Sequence, residues 1–149
     1  MKTLVIYDSV HGNTRKIAEA IGEAVSGEIE VQSAGEVDIS RLENFDLLFV
    51  GAPTHGGRAT KAMQEFLDKV QANALKGTNV AAFDTRLTAR WVRIFGYAAG
   101  RIAGALKEKG GALIGSPAGF FVKGTEGPLK ESELERAAAW AREIVKGAE

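Results

Sequence analysis

Six consecutive residues, Ser9-Val10-His11-Gly12-Asn13-Thr14, carry two hydroxyls, an imidazole, a carboxamide and one glycine. They follow an apolar, β-rich run (Lys2–Tyr7) and lead straight into a helical pattern, Asn13–Ser26. That composition suits the binding of an anion. Ser9 and Thr14 supply hydroxyl donors, Gly12 lets the backbone approach closely, and Asn13 tolerates unusual dihedrals. The helix behind the loop aims unpaired N–H groups and the positive end of its dipole at the same point. Two commoner phosphate loops are excluded: there is no G-x-x-x-x-G-K-[ST], and no G-x-G-x-x-G follows the first strand. A hydroxyl-rich loop with one glycine points instead to a terminal phosphomonoester.

A second loop, Ala52-Pro53-Thr54-His55-Gly56-Gly57-Arg58, follows another such run, Leu47–Gly51. In an open α/β sheet, ligands bind beyond the carboxyl ends of the strands, where these two loops would converge. Other chemistries fit poorly. The chain has no cysteine, which removes disulfides, thiolate catalysis and Cys-ligated metal sites. His11 and His55 lack the carboxylate pattern of a metal site. Ser9 with His11 has no nucleophile elbow around it, so a hydrolase pair is not indicated.

The elements that must position these loops alternate along the chain. Strands are expected at Lys2–Tyr7, Ile29–Ser33, Leu47–Gly51, Val80–Asp84 and Ala112–Gly115, with Gly119–Val122 continuing the last one beyond Pro117. Helical spacing of apolar residues predicts helices at Asn13–Ser26, Thr60–Val70, Ile94–Lys109 and Glu133–Lys146. Ser132 with Glu135 reads as a capping box, Ser40 with Glu43 as a capped short helix, and Gly27 and Gly110-Gly111 stand where helices should end. Near-continuous apolar strands alternating with helices imply a parallel sheet covered on both faces, in one domain over residues 1–149. Trp140, among alanines on the last helix, is expected to pack in the core.

Composition is that of an ordinary globular domain, 45% hydrophobic and 26% charged. No apolar run is long enough to span a membrane and the opening lacks a signal peptide's apolar stretch, so a cytoplasmic location is expected. Nineteen basic and nineteen acidic residues cancel. The acidic surplus lies in the first fifty residues; the next fifty are basic and include Arg58, Arg86, Arg90 and Arg93. Without a basic run or an aromatic platform, nucleic acid is not an expected partner.

Over its whole length the chain resembles a short-chain flavodoxin. Tyr7–Thr14 is similar to that family's phosphate loop, T/S-x-T/S-G-N-T, and Gly51–Gly57 to its second flavin-contacting loop. Phe83-Asp84-Thr85-Arg86 stands where the third loop begins. The resemblance implies a flavodoxin-like three-layer α/β sandwich, with a five-stranded parallel sheet in the order 2-1-3-4-5 and FMN at the switch point. The ribityl phosphate would rest on Ser9, Val10, His11, Gly12, Asn13 and Thr14. The ring would lie between Pro53, Thr54, His55, Gly56 and Gly57 on one side and Asp84, Thr85 and Arg86 on the other. His55 would meet the ring edge, and a peptide of the Gly56-Gly57 pair would turn a carbonyl toward flavin N5 on reduction. Trp91 is either a flavin stacker or a packing aromatic.

Three departures from the family pattern stand out. His11 replaces a Thr or Ser, although an imidazole can still donate a hydrogen bond. The stretch Leu87-Thr88-Ala89-Arg90-Trp91 lacks the family's Asp-x-x-Tyr. The chain is neutral where electron-transferring flavodoxins are acidic. The resemblance implies a one-electron carrier working between a flavodoxin reductase and an acceptor, and the arginines would favour an acidic docking surface on the partner. The competing reading is an FMN-dependent enzyme, an NAD(P)H quinone or nitro-compound reductase, whose support is the basic loop set. A protoporphyrinogen-oxidase-like enzyme shares the opening residues but carries a longer insertion before its last strand. A binding domain that no longer uses flavin is disfavoured by the intact phosphate loop.

Overall fold

The computed structural model describes residues 1–87 and 97–149. Along them run β1 (Lys2–Tyr7), α1 (Asn13–Ala24), β2 (Glu28–Ser33), a 3-10 helix (Ile39–Asn44) and β3 (Leu47–Pro53). Then come α2 (Lys61–Lys69), β4 (Asn79–Arg86), α3 (Ala98–Glu108), β5 (Ala112–Leu113), β6 (Ala118–Phe121) and α4 (Glu133–Ala148). The sheet is parallel, in the order β2-β1-β3-β4-β5, and β6 also pairs with β4.

Strand alternation divides the core into two layers. Leu4, Ile6, Leu48, Val50, Val80 and Ala82 face α2 and α3, where Met63, Phe66, Ile102 and Leu106 close over them. Val5, Leu47, Phe49, Ala81 and Phe83 face α1 and α4, against Ile17, Ile21, Ala137 and Ala141. Trp140 packs in this second layer, edge-on to Phe49, Phe83 and Phe120 at centroid separations of 5.5, 6.2 and 5.9 Å. The expected three-layer architecture and strand order are therefore present. Among the described residues no helix is long and apolar enough to cross a membrane.

The last edge differs from expectation. Ala112–Leu113 and Ala118–Phe121 are two short strands, both laid along β4. Between them Gly115 turns left-handed (φ 65°) and Pro117 offers no N–H, so the ladder breaks. Tyr97 is extended (φ −136°, ψ 152°), so the described helix begins at Ala98 and Tyr97 is not helical; Ile94–Gly96 lie outside the described residues.

Caps differ as well. Asp38, rather than Ser40, caps the 3-10 helix, accepting from the Ser40 N–H and hydroxyl. The Ser132–Glu135 capping box does not form. Ser132 is left-handed (φ 67°) and its side chain caps nothing. The neighbouring Glu133, nearly buried, ties the start of α4 to β6. Its carboxylate accepts the Phe121 N–H at 2.7 Å and both arms of Arg136 at 2.7 and 3.0 Å. Burial works against its charge, but Arg136 and the Phe121 amide outweigh it and hold the carboxyl below the usual glutamate range.

A carboxylate with a depressed folded-state pKa stabilises the fold above its unfolded pKa, and that share is lost as pH falls through the folded value. Urea midpoints measured from pH 7 downward should therefore show an acid-sensitive component that Glu133→Gln removes. At pH 7 that variant should cost about 1–3 kcal/mol. An unchanged acid limb in the variant would show that other carboxylates carry it.

Candidate functional site

Strand order reverses at β1, whose neighbours are β2 and β3, and the crevice this leaves lies beyond the carboxyl ends of β1 and β3. The loop from β1 enters it first. Gly12 takes a left-handed conformation (φ 89°) that turns the chain into α1, with open space where a Cβ would project. Ser9 Oγ accepts the Gly12 N–H at 3.0 Å and the Arg15 N–H at 3.4 Å, and its own proton stays available for donation. Among the described residues, the backbone amides of Val10, His11, Asn13 and Thr14 have no hydrogen-bond partner. Four unpaired N–H groups around a helix start form an anion-binding concavity.

The loop from β3 and the end of β4 border the same crevice. The Thr54 N–H donates to the Thr85 carbonyl at 2.9 Å, and the Thr14 and Thr85 hydroxyls share a hydrogen bond of 2.8 Å. The loop from β3 and the start of α1 are thus both tied to the end of β4. Together they line a small, solvent-open cleft of about 50 Å³. Its lining includes Ser9, Val10, His11, Asn13, Thr14, Pro53, Thr54, His55, Thr85 and Arg86, ten of the residues expected there.

The other expected residues sit differently. Gly12 shapes the turn rather than the lining. Gly56 and Gly57, both left-handed (φ 57° and 79°), make a two-residue turn closed by the His55–Arg58 bridge, outside the lining. The Gly57 carbonyl accepts from Arg101 Nε at 2.7 Å, so any reorientation of that peptide must break this bond. Trp91 lies outside the described residues, as do Arg90 and Arg93.

Asp84 does not face the cleft. It is fully buried, accepts both arms of Arg86 at 2.7 Å each, and takes the Ala99 N–H at 2.9 Å. Its work is to hold Arg86 and to cap α3, a task shared by Thr54 Oγ1, which accepts the Ala98 N–H at 2.9 Å. Arg86 in turn stands 3.5 Å over the Tyr97 ring. Arg86 lines the cleft, but its charge is met by Asp84 in a bidentate pair. Arg58 is exposed and does not line the cleft.

Sequence reasoning missed three lining residues, Leu87, Val122 and Thr125. Leu87 simply follows Arg86. Val122 and Thr125 come from the segment after β6, more than a hundred positions from the phosphate loop, and no local motif marks them.

Comparison with known proteins agrees with this geometry. A profile described as a flavodoxin domain matches residues 4–94. An uncharacterised protein of Methanocaldococcus jannaschii is 29% identical, over 98% of this chain and 99% of that one. An NAD(P)H dehydrogenase (quinone) of Acidovorax ebreus is 31% identical over 58% of this chain, which spans 57% of that relative. Among solved structures, oxidised flavodoxin 2 from Bacillus cereus superimposes with a TM-score of 0.84 at 25% identity, covering 98% of this chain and 99% of that one. Strand order, crevice and matched residues converge on one assignment, and the chain belongs to the flavodoxin family.

Proposed function

We propose that this chain binds FMN, with the phosphate on residues 9–14, and carries electrons between redox proteins. The observation that carries the reading is the set of unpaired amides at Val10, His11, Asn13 and Thr14, at the mouth of the crevice. They fit a phosphomonoester: the donors are already in place, Ser9 can add a hydroxyl proton, and Gly12 leaves the approach clear. Proteins of the family bind flavin, typically FMN, and act with redox partners. Bound flavin supplies the electron-accepting chemistry. The chain's own part is to hold the phosphate, to wall the ring with Pro53, Thr54 and His55, and to keep the Gly56-Gly57 turn fixed through Arg101.

FMN should bind tightly and riboflavin far more weakly. Charge-assisted hydrogen bonds contribute about 1.5–3 kcal/mol each, so the loss of two weakens binding by about a hundredfold or more. Quenching of flavin fluorescence measures both affinities. Equal affinity would remove the phosphate site and the function with it.

A second reading rests on the quinone dehydrogenase relative. It would make the chain an enzyme that NADH or NADPH reduces directly. Stopped-flow mixing separates the two readings. A carrier loses its yellow colour only when a separate reductase is added, whereas an enzyme bleaches with pyridine nucleotide alone.

A further inference from the structure

We infer that the hairpin between β6 and α4 is a third wall of the phosphate end of the cleft, with Thr125 as a ligand contact and Asn13 as the latch that holds the hairpin in place. This rests on the reading of residues 9–14 as a phosphate site.

After β6 the chain could pass directly to α4. Instead it folds back on itself. Val122 and Leu129 form an antiparallel bridge, the Lys123 N–H donates to the Pro128 carbonyl and the Gly127 N–H to the Gly124 carbonyl, both at 2.9 Å. The Val122 N–H donates to the Arg86 carbonyl at 3.0 Å, which anchors the hairpin to the end of β4. Thr125 and Val122 reach the same cleft that Ser9, His11 and Thr14 line.

The latch is a single side chain. Asn13, 8% exposed, donates from Nδ2 to the Glu126 carbonyl at 3.1 Å. The hairpin lies so close that a Cβ on Gly127 would stand 2.6 Å from the Asn13 amide atoms, and Gly127 is left-handed besides (φ 99°). Asn13 therefore offers its backbone N–H to the anion while its side chain is turned to the hairpin. The two ends of the chain are joined at the point where the phosphate would lie. A hydroxyl at position 125 then adds a donor from outside the phosphate loop.

The test uses Thr125→Val, Thr125→Ser and Asn13→Ala, with FMN and riboflavin as probes. Thr125→Val should weaken FMN binding by about tenfold, as expected for one charge-assisted hydrogen bond, leave riboflavin unchanged, and be rescued by Thr125→Ser. In flavin-free protein, Asn13→Ala should speed hydrogen exchange at the Lys123 and Gly127 amides relative to the wild type, and FMN added to the wild type should slow exchange there below its flavin-free rate. FMN affinity unchanged in Thr125→Val overturns the contact, and unchanged exchange in Asn13→Ala overturns the latch. If wild-type protein binds FMN and riboflavin equally, the phosphate reading itself has failed. The exchange measurement on flavin-free protein still decides the latch.

Discussion

Replacing Asp84 with alanine should destabilise the fold by about 3–5 kcal/mol, because it strands a cation beside a carboxylate-shaped void. The carboxylate has no exposure, and Arg86 retains only 15%, so solvent does little to screen the pair. Removing Asp84 also deprives the Ala99 N–H of its acceptor at the first turn of α3. Asp84→Asn keeps an acceptor for that amide but not the charge, and should fall between the wild type and the alanine variant. Urea unfolding gives the stabilities, and flavin titration should show FMN affinity falling in parallel, since Arg86 and Thr54 line the cleft. Pairing Asp84→Ala with Arg86→Leu should recover part of the loss, because the stranded charge goes too. A loss below about 1 kcal/mol for Asp84→Ala would mean that water or another acceptor takes its place.

Asp84 also marks where the sequence stops being legible. An acid at the end of a strand beside a binding loop looks like a ligand contact. Whether it reaches the ligand depends on what else competes for it, and here one competitor, Ala99, is fifteen positions away. The phosphate loop was readable because everything that makes it work is local: two hydroxyls, a glycine and a helix start within six residues. Strand order was readable through the resemblance, and the two faces of the sheet through alternation. The broken edge was harder, since Gly115 and Pro117 look like a turn within one strand until β4 is seen to serve both halves. Caps failed where two candidates stood side by side. Asp38 displaced Ser40, and Glu133 found Phe121 and Arg136 while Ser132 turned away. The hairpin wall was out of reach for the same reason as Asp84. Asn13 and Glu126 are 113 positions apart and meet only in the folded chain.

Gly51→Ala should be among the most damaging single-methyl additions in the molecule. The new Cβ would stand 2.3 Å from the Cε2 and Cζ atoms of Phe83, its register partner on β4. Phe83 cannot yield easily. It is fully buried and packed edge-on against Phe120 at 6.4 Å and Trp140 at 6.2 Å. Overpacking a tight core costs about 1–3 kcal/mol and occasionally more; a ring locked on this many sides belongs at the upper end of that range. The damage should reach the ligand as well. The Gly51 carbonyl accepts the Asp8 N–H at 3.1 Å, and Pro53–His55 follow two residues on, so a shift in β3 moves both the first and second loops. Phe83→Leu relieves the clash while leaving a partly filled site. The double variant Gly51→Ala/Phe83→Leu should therefore be more stable than the two single losses added together, and should regain part of the FMN affinity. Strict additivity, or a Gly51→Ala protein that unfolds at the wild-type urea midpoint, would show that the aromatic cluster can shift to admit the methyl. The close approach of β3 to Phe83 would then not be what positions the first two loops.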